Sequence, residues 1–384
     1  MSNIPKLRFP EFSGEWEEKK LSDFMTRLTR KNSNNESSRA LTISSVDGLI
    51  DQGEFFKKQI ASKDTSGYYL LKNGDFAYNK SYSVGYDYGS IKRLDRYEDG
   101  VVSTLYICMT LTSDTNSDYL THYFDSMKWN KSVSEISAEG ARNHGLLNIP
   151  TESFFQTKHF LAPTLAEQQK IADFLSNVDS IITAETKILN TLQKKKKALM
   201  QKLFTQQLRF KSDDGTDFPE WEEKKLGECV ISISSGKNKK KNSAGNFPVY
   251  GSMGIIGYSE QYVYNRDCIL VARVGANAGT LHIAKGKYDV SDNTLIIELN
   301  ENELLSFYYF LLVNINLNKL NYGTGQPLVT SGMLKNIDIQ LPCKAEQQKI
   351  ADCLSSLDLL IQTQQKVVTT WQQRKKALLQ QMFI

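Results

Sequence analysis

Only eight of the 384 residues are prolines and no two are adjacent. The Asn-Pro-Pro-aromatic tetrapeptide of amino-methyltransferases is therefore absent. No Pro-Asp pair opens a restriction-nuclease motif. Both Gly-Lys pairs are followed by a residue, Asn238 or Tyr288, that a phosphate-binding loop does not tolerate. The four histidines (His122, His144, His159, His282) are scattered, and none begins a His-Glu-x-x-His or His-x-Glu pattern. The five cysteines form no Cys-x-x-Cys pair and are odd in number, which fits neither a disulfide framework nor a zinc module and points to a reducing cytoplasm. Long apolar runs are missing too: Phe307 to Val313 is far too short to span a bilayer, and the first residues have no apolar signal core. No membrane partner is expected. A net charge of only +4 means that any nucleic-acid footprint must come from local patches. No catalytic activity and no cofactor are expected of this chain.

What the chain does contain is a duplication. Residues 163–204 align without gaps on residues 342–383, a shift of 179, and are identical at 22 of 42 positions. The core is Ala166-Glu167-Gln168-Gln169-Lys170-Ile171-Ala172-Asp173 against Ala345-Glu346-Gln347-Gln348-Lys349-Ile350-Ala351-Asp352. Upstream, Leu7-Arg8-Phe9 recurs as Leu208-Arg209-Phe210, and Trp16-Glu17-Glu18-Lys19-Lys20-Leu21 as Trp221-Glu222-Glu223-Lys224-Lys225-Leu226. The Glu pairs in that motif read as exposed ion-pair partners of the lysines rather than as an acid–base dyad. Residues 22–160 and 227–341 share little. Like edges around unlike middles indicate one scaffold carrying two surfaces.

Apolar residues recur at heptad spacing in both repeats: Ile171, Leu175, Val178, Ile182, Leu189, Leu192, Leu199, Leu203 and Ile350, Leu354, Leu357, Ile361, Val368, Trp371, Leu378, Met382. Each repeat predicts one helix of roughly 39 residues, about 58 Å long. Thr164-Leu165-Ala166-Glu167 has the form of a capping box. A parallel pair would set Lys196 beside Lys375 in the seam. An antiparallel pair sets Lys196 near Leu357 and Lys375 near Val178, where long stems can snorkel. The expected fold is therefore mixed α/β (α+β), with two globular domains joined by two long antiparallel coiled-coil helices as a pseudo-two-fold repeat. The boundaries are 1–162, 163–206, 207–341 and 342–384. A self-contained dimerisation coil is the alternative.

Strands are expected at Ala40–Val46, Val101–Met109, Cys268–Val274, Thr294–Leu299 and Ile337–Leu341, and a short helix at Asn302–Leu317. Several segments carry side chains suited to DNA. Gly236 to Asn242, with Lys237, Asn238, Lys239, Lys240 and Lys241, is a basic loop fit for phosphates. Arg273 and Asn277 follow a strand and can make bidentate base contacts. Gln326 tips a Gly-rich loop at Tyr322–Pro327, and Arg142, Asn143 and His144 occupy the corresponding place in the first domain. Lys80 and Tyr82, near Tyr86 and Tyr88, mix a cation with aromatics. Each of these has a plain alternative as solvated loop, constrained turn or core.

The duplicated Ala-Glu-Gln-Gln-Lys-Ile-Ala-Asp helix, the Trp-Glu-Glu-x-Lys-Leu motif, the Gly323-Thr324-Gly325-Gln326-Pro327 loop and the Gly140-Ala141-Arg142 segment resemble the specificity subunits of type I restriction–modification systems. The resemblance implies two target-recognition domains, each reading half of a split, asymmetric site on double-stranded DNA, with the helix pair setting the gap. It implies two modification subunits bearing the adenine methyltransferase chemistry with S-adenosylmethionine. A restriction subunit using ATP and magnesium would join them, and no homo-oligomer is expected in the complex. The competing reading is a coiled-coil interaction scaffold that does not read DNA sequence.

Overall fold

A computed structural model describes residues 3–56, 61–62, 64–112, 114–137, 147–238, 245–320 and 327–384. The chain forms two compact units, Met1–Thr186 with Val367–Ile384, and Lys187–Lys366. Their boundaries cut both long helices in the middle, because each half-helix packs into a globular core. Among the described residues, no helix is long and apolar enough to cross a membrane.

The first unit contains β1 (Glu17–Lys20), α1 (Leu21–Phe24), β2 (Met25–Arg27), β3 (Leu41–Ser44), β4 (Gly48–Asp51), α2 (Gln52–Phe56), β5 (Tyr69–Lys72) and β6 (Phe76–Asn79). It continues through β7 (Ser90–Arg93), β8 (Asp99–Val102), β9 (Ile107–Leu111), α3 (Ser117–Asp125), α4 (Asn130–Ile136), α5 (Thr151–Phe155), β10 (Lys158–Leu161) and residues 165–186 of α6 (Leu165–Phe204). An antiparallel sheet of order β2-β9-β6-β7 lies at its centre. Its strand β6 is buried on both faces. Phe76 and Tyr78 join a core with Tyr119, Tyr123 and Leu175, while Ala77 joins a second cluster with Leu41, Leu71 and Val102. A short apolar run is what a doubly covered strand requires. The strand expected over Val101–Met109 is in fact two. β8 pairs with β5 and β9 with β2 and β6, and Tyr106 N closes a turn onto Ser103 O between them.

The second unit contains β11 (Glu222–Lys225), a 3-10 turn (Leu226–Glu228), β12 (Val230–Ser235), β13 (Phe247–Gly251), β14 (Gly254–Ser259), β15 (Tyr264–Asn265) and β16 (Cys268–Ala272). There follow β17 (Leu281–Ala284), β18 (Lys287–Val290), β19 (Thr294–Leu299), α7 (Leu305–Ile315), α8 (Ser331–Lys335), β20 (Asp338–Leu341) and residues 344–366 of α9 (Lys344–Met382). Its central sheet runs β12-β19-β16-β17, also antiparallel. Ile269 and Val271 face one core, Cys268 and Leu270 the other.

The two units share one topology, strand for strand. β2, β6, β7 and β9 correspond to β12, β16, β17 and β19. The hairpin β3–β4 corresponds to β13–β14, and the pair β5–β8 to β15–β18. Even the parallel pairing of β13 with β18 has its counterpart, a parallel bridge between Ala40 and Val101. β1 pairs with β10 as β11 pairs with β20, and exposed ion pairs line both ladders, Lys158–Glu18 at 2.7 Å and Lys225–Asp338 at 2.8 Å.

The duplicated motifs meet in each unit. Arg8 Nε and Nη2 donate to the two Glu167 carboxylate oxygens at 2.7 and 2.8 Å, and Trp16 Nε1 donates to the same group at 3.1 Å. Arg209 and Trp221 hold Glu346 in the same way, with bonds of 2.8 to 3.1 Å. Both carboxylates are fully buried. Bidentate guanidinium contact satisfies such a group, and the helix N-terminus favours its charge. The expected capping box at Thr164 is thus half made. Thr164 Oγ1 accepts from Glu167 N at 3.2 Å, but the Glu167 side chain turns to Arg8 and Trp16 instead of returning to the cap.

α6 spans 40 residues and α9 spans 39. All the heptad positions expected in the seam are buried or half-buried. Within the second unit, Lys196 Nζ lies 2.5 Å from Asp358 Oδ1, and Met200 and Leu203 cluster with Ile350 and Leu354. Within the first, Lys375 Nζ lies 2.7 Å from Asp179 Oδ1, and Leu379 and Met382 cluster with Ile171 and Leu175. Numbers rise on one helix as they fall on the other, so the packing is antiparallel. The seam lysines do not merely snorkel past Leu357 and Val178. Each finds a carboxylate one residue further on, and the two ion pairs are repeat equivalents.

Candidate nucleic-acid interface

In the second unit, the candidate residues gather around the turn between β18 and β19. Gly236 opens the basic loop against this turn: its N donates to Thr294 O at 3.0 Å, and a Cβ would fall 2.3 Å from the Val290 and Ser291 carbonyl oxygens. Asn238 N donates to Val290 O, and its side-chain amide donates to Asp289 Oδ2 at 2.7 Å. That amide is therefore held by a structural partner, whereas Lys237 is exposed. Arg273 sits on the other flank, where its N donates to Asn293 O at 2.9 Å. Asn277 lies in the β16–β17 loop, half-buried, with its carbonyl accepting from Thr280 N. Gly275 N donates to Pro327 O and Val329 N to Arg273 O. The Arg273 segment and the residues that follow the Gly-rich loop are thus brought together.

In the first unit, Lys80 and Tyr82 lie in the β6–β7 loop, the counterpart of the β16–β17 loop. Gly89 closes this loop. At φ +77°, a Cβ there would lie 2.0 Å from Asn79 O, so only glycine fits. Tyr82 is 56% exposed, while Tyr86 and Tyr88 are half-buried. Tyr82 is therefore the aromatic of this loop available for stacking. Leu147 N donates to Lys80 O at 3.0 Å. Burial lowers the Lys80 ammonium from its ordinary value. Lys80 borders a cavity of about 50 Å³ with Arg27, Thr104, Tyr106 and Thr151, and among the described residues no carboxylate lines it. Arg27 and the Ser291–Asn293 turn escaped the sequence reading, since only strand pairing brings them to the candidates. Arg142, Asn143, His144, Lys239, Lys240, Lys241 and Gln326 lie outside the described residues.

Residues 219–370 match the family described as the type I restriction modification DNA specificity domain. The chain is 25% identical to the type I restriction enzyme MjaVIII specificity subunit of Methanocaldococcus jannaschii over 97% of its own length and 92% of that protein. Residues 219–370 thus carry the likeness to a type I DNA specificity domain, and the chain is similar to type I specificity subunits over nearly its whole length. The Escherichia coli EcoprrI specificity subunit matches 40% of the chain at 25% identity, covering 39% of that protein. In fold, the chain resembles the crystal structure of a type I restriction–modification S subunit from M. genitalium, with a TM-score of 0.62, 14% identity and 99% of both chains covered. A chain solved in work on complex assembly and conformational transition of the type I R-M system gives a TM-score of 0.56 at 17% identity, covering 97% and 98%. The family match falls on the second unit, and the shared topology extends the same scaffold to the first.

Proposed function

We propose that this chain is the specificity subunit, the non-catalytic reader, of a type I restriction–modification complex, recognising a bipartite, asymmetric duplex target with one half assigned to each unit. The observation that carries this reading is one scaffold built twice around different loops. Lys80 and Tyr82 stand where the other unit presents Arg273 and Asn277. A single domain reading a few base pairs gains limited discrimination, since each mismatch costs roughly 1–3 kcal/mol. Two linked domains combine theirs. The paired helices act as the spacer, and half-sites about 34–36 Å apart would present the same side of the duplex.

Two modification subunits and a restriction subunit assemble on the chain in this reading, bringing S-adenosylmethionine, ATP and magnesium. Off the seam, Phe174 and Ile181 are exposed apolar residues one heptad apart. Leu360, the repeat equivalent of Ile181, is 54% exposed. Equivalent exposed positions in both repeats suit two copies of one partner. Selection of random duplexes by the chain bound to its modification subunit tests the proposal. Enrichment of two defined segments separated by a fixed gap is expected. Recovery of unselected DNA would leave an interaction scaffold without sequence reading.

A further inference from the structure

The shared topology makes Lys80 and Arg273 the same position. Each is the first residue after the corresponding strand, β6 ending at Asn79 and β16 at Ala272. Each offers its carbonyl to a later backbone N–H, Leu147 N at 3.0 Å and Val329 N at 2.8 Å. Each lies beside the residue that precedes the neighbouring strand: Tyr106, which lines the Lys80 cavity before β9, and Asn293, bonded to Arg273 N before β19. The carbonyl of both residues is therefore held by a later segment of the chain, although the surrounding sequences differ.

The side chains share a second property. Neither Lys80 nor Arg273 forms an ion pair among the described residues, and the buried Arg273 Nε has no hydrogen-bond partner. Lys80 shares its cavity, lined by no carboxylate among the described residues, with a second cation, Arg27. Partly desolvated cations with no counter-ion attract an external anion. Most other partly buried cations here are neutralised, as Arg8 is by Glu167, Lys196 by Asp358 and Arg209 by Glu346.

We infer that Lys80 and Arg273 are one duplicated phosphate clamp, each fixing its unit on the DNA backbone at the equivalent place of its half-site. Lys and Arg both serve a phosphate, so the exchange of one for the other between units is compatible with a common role. The inference rests on the DNA-reading proposal above, but it assigns positioning rather than base choice to these two residues.

The test uses the complex of the full chain with its modification subunits and a duplex of random sequence, titrated at several salt concentrations. Each released phosphate counter-ion contributes about 0.9 to the slope of log K against log salt. Lys80→Gln and Arg273→Gln are each expected to lower that slope by about one, and the double variant by about two, with equal weakening on any duplex sequence. Lys80→Arg and Arg273→Lys should retain the wild-type slope, which separates lost charge from lost folding. An unchanged slope in either neutral variant, or a loss confined to one base position, overturns the inference. If the slopes fall as expected while the wild-type complex prefers no duplex sequence, the clamp stands and the bipartite reader falls. A wild-type complex that binds no DNA removes both.

Discussion

His159 on β10 is buried between Tyr123 and Thr157, with both ring nitrogens bonded at 2.8 Å. The Thr157 hydroxyl is committed to Phe154 O at 2.7 Å, so it accepts from Nε2–H, and Nδ1 takes the Tyr123 hydroxyl proton. Burial depresses the imidazole from 6.5 to about 4. Between those values the unfolded chain binds the proton and the folded chain does not. Stability from this residue is complete above pH 6.5 and falls as the pH drops toward 4, by about 3 kcal/mol in all. Denaturant unfolding of wild type and His159→Gln from pH 7 to pH 4.5 checks this: the decline should be shallower in the variant, and parallel declines would contradict it. At this scale residues were legible but their partners were not. Glu167 reads as a capping residue, yet Arg8, far upstream, takes it. Asn238 reads as part of a basic loop fit for phosphates, yet Asp289 holds its side-chain amide.

Elements were legible where one pattern covers many residues. The heptads placed both helices almost to their ends because a seam needs a long unbroken stripe. The antiparallel order was also legible, since two seam lysines oppose a parallel pair. Their partners, Asp179 and Asp358, stayed hidden because they sit one position off the apolar frame. The strand run at Val101–Met109 misled for a related reason: consecutive strands of different sheets are both apolar, and a surface turn divides them. The Lys196–Asp358 pair gives the element-scale prediction. Its side chains are only 18% and 31% exposed, so a double-mutant cycle with Lys196→Met and Asp358→Asn should show coupling of about 1 kcal/mol. Coupling indistinguishable from zero would mean that this pair does not help to set the antiparallel register.

At the scale of the whole molecule, the duplication was readable only at its edges. The motifs Leu-Arg-Phe, Trp-Glu-Glu and Ala-Glu-Gln-Gln recur because Arg, Trp and Glu meet in one buried clamp in each unit, where substitutions cost several kcal/mol. The sheets between them keep their strand order while the sequences share little, because a strand covered on both faces needs only a short apolar run, which many residues satisfy. Loop positions such as Lys80 and Arg273 become comparable only once the strands are matched. The central claim is that the two units read separately. The measurement that tests it most directly replaces residues 22–160 with those of a relative and maps adenine methylation across the genome of cells carrying the modification subunit. One half of the methylated sequence should change while the other half and the gap persist. A change in both halves, or in neither, would contradict the account.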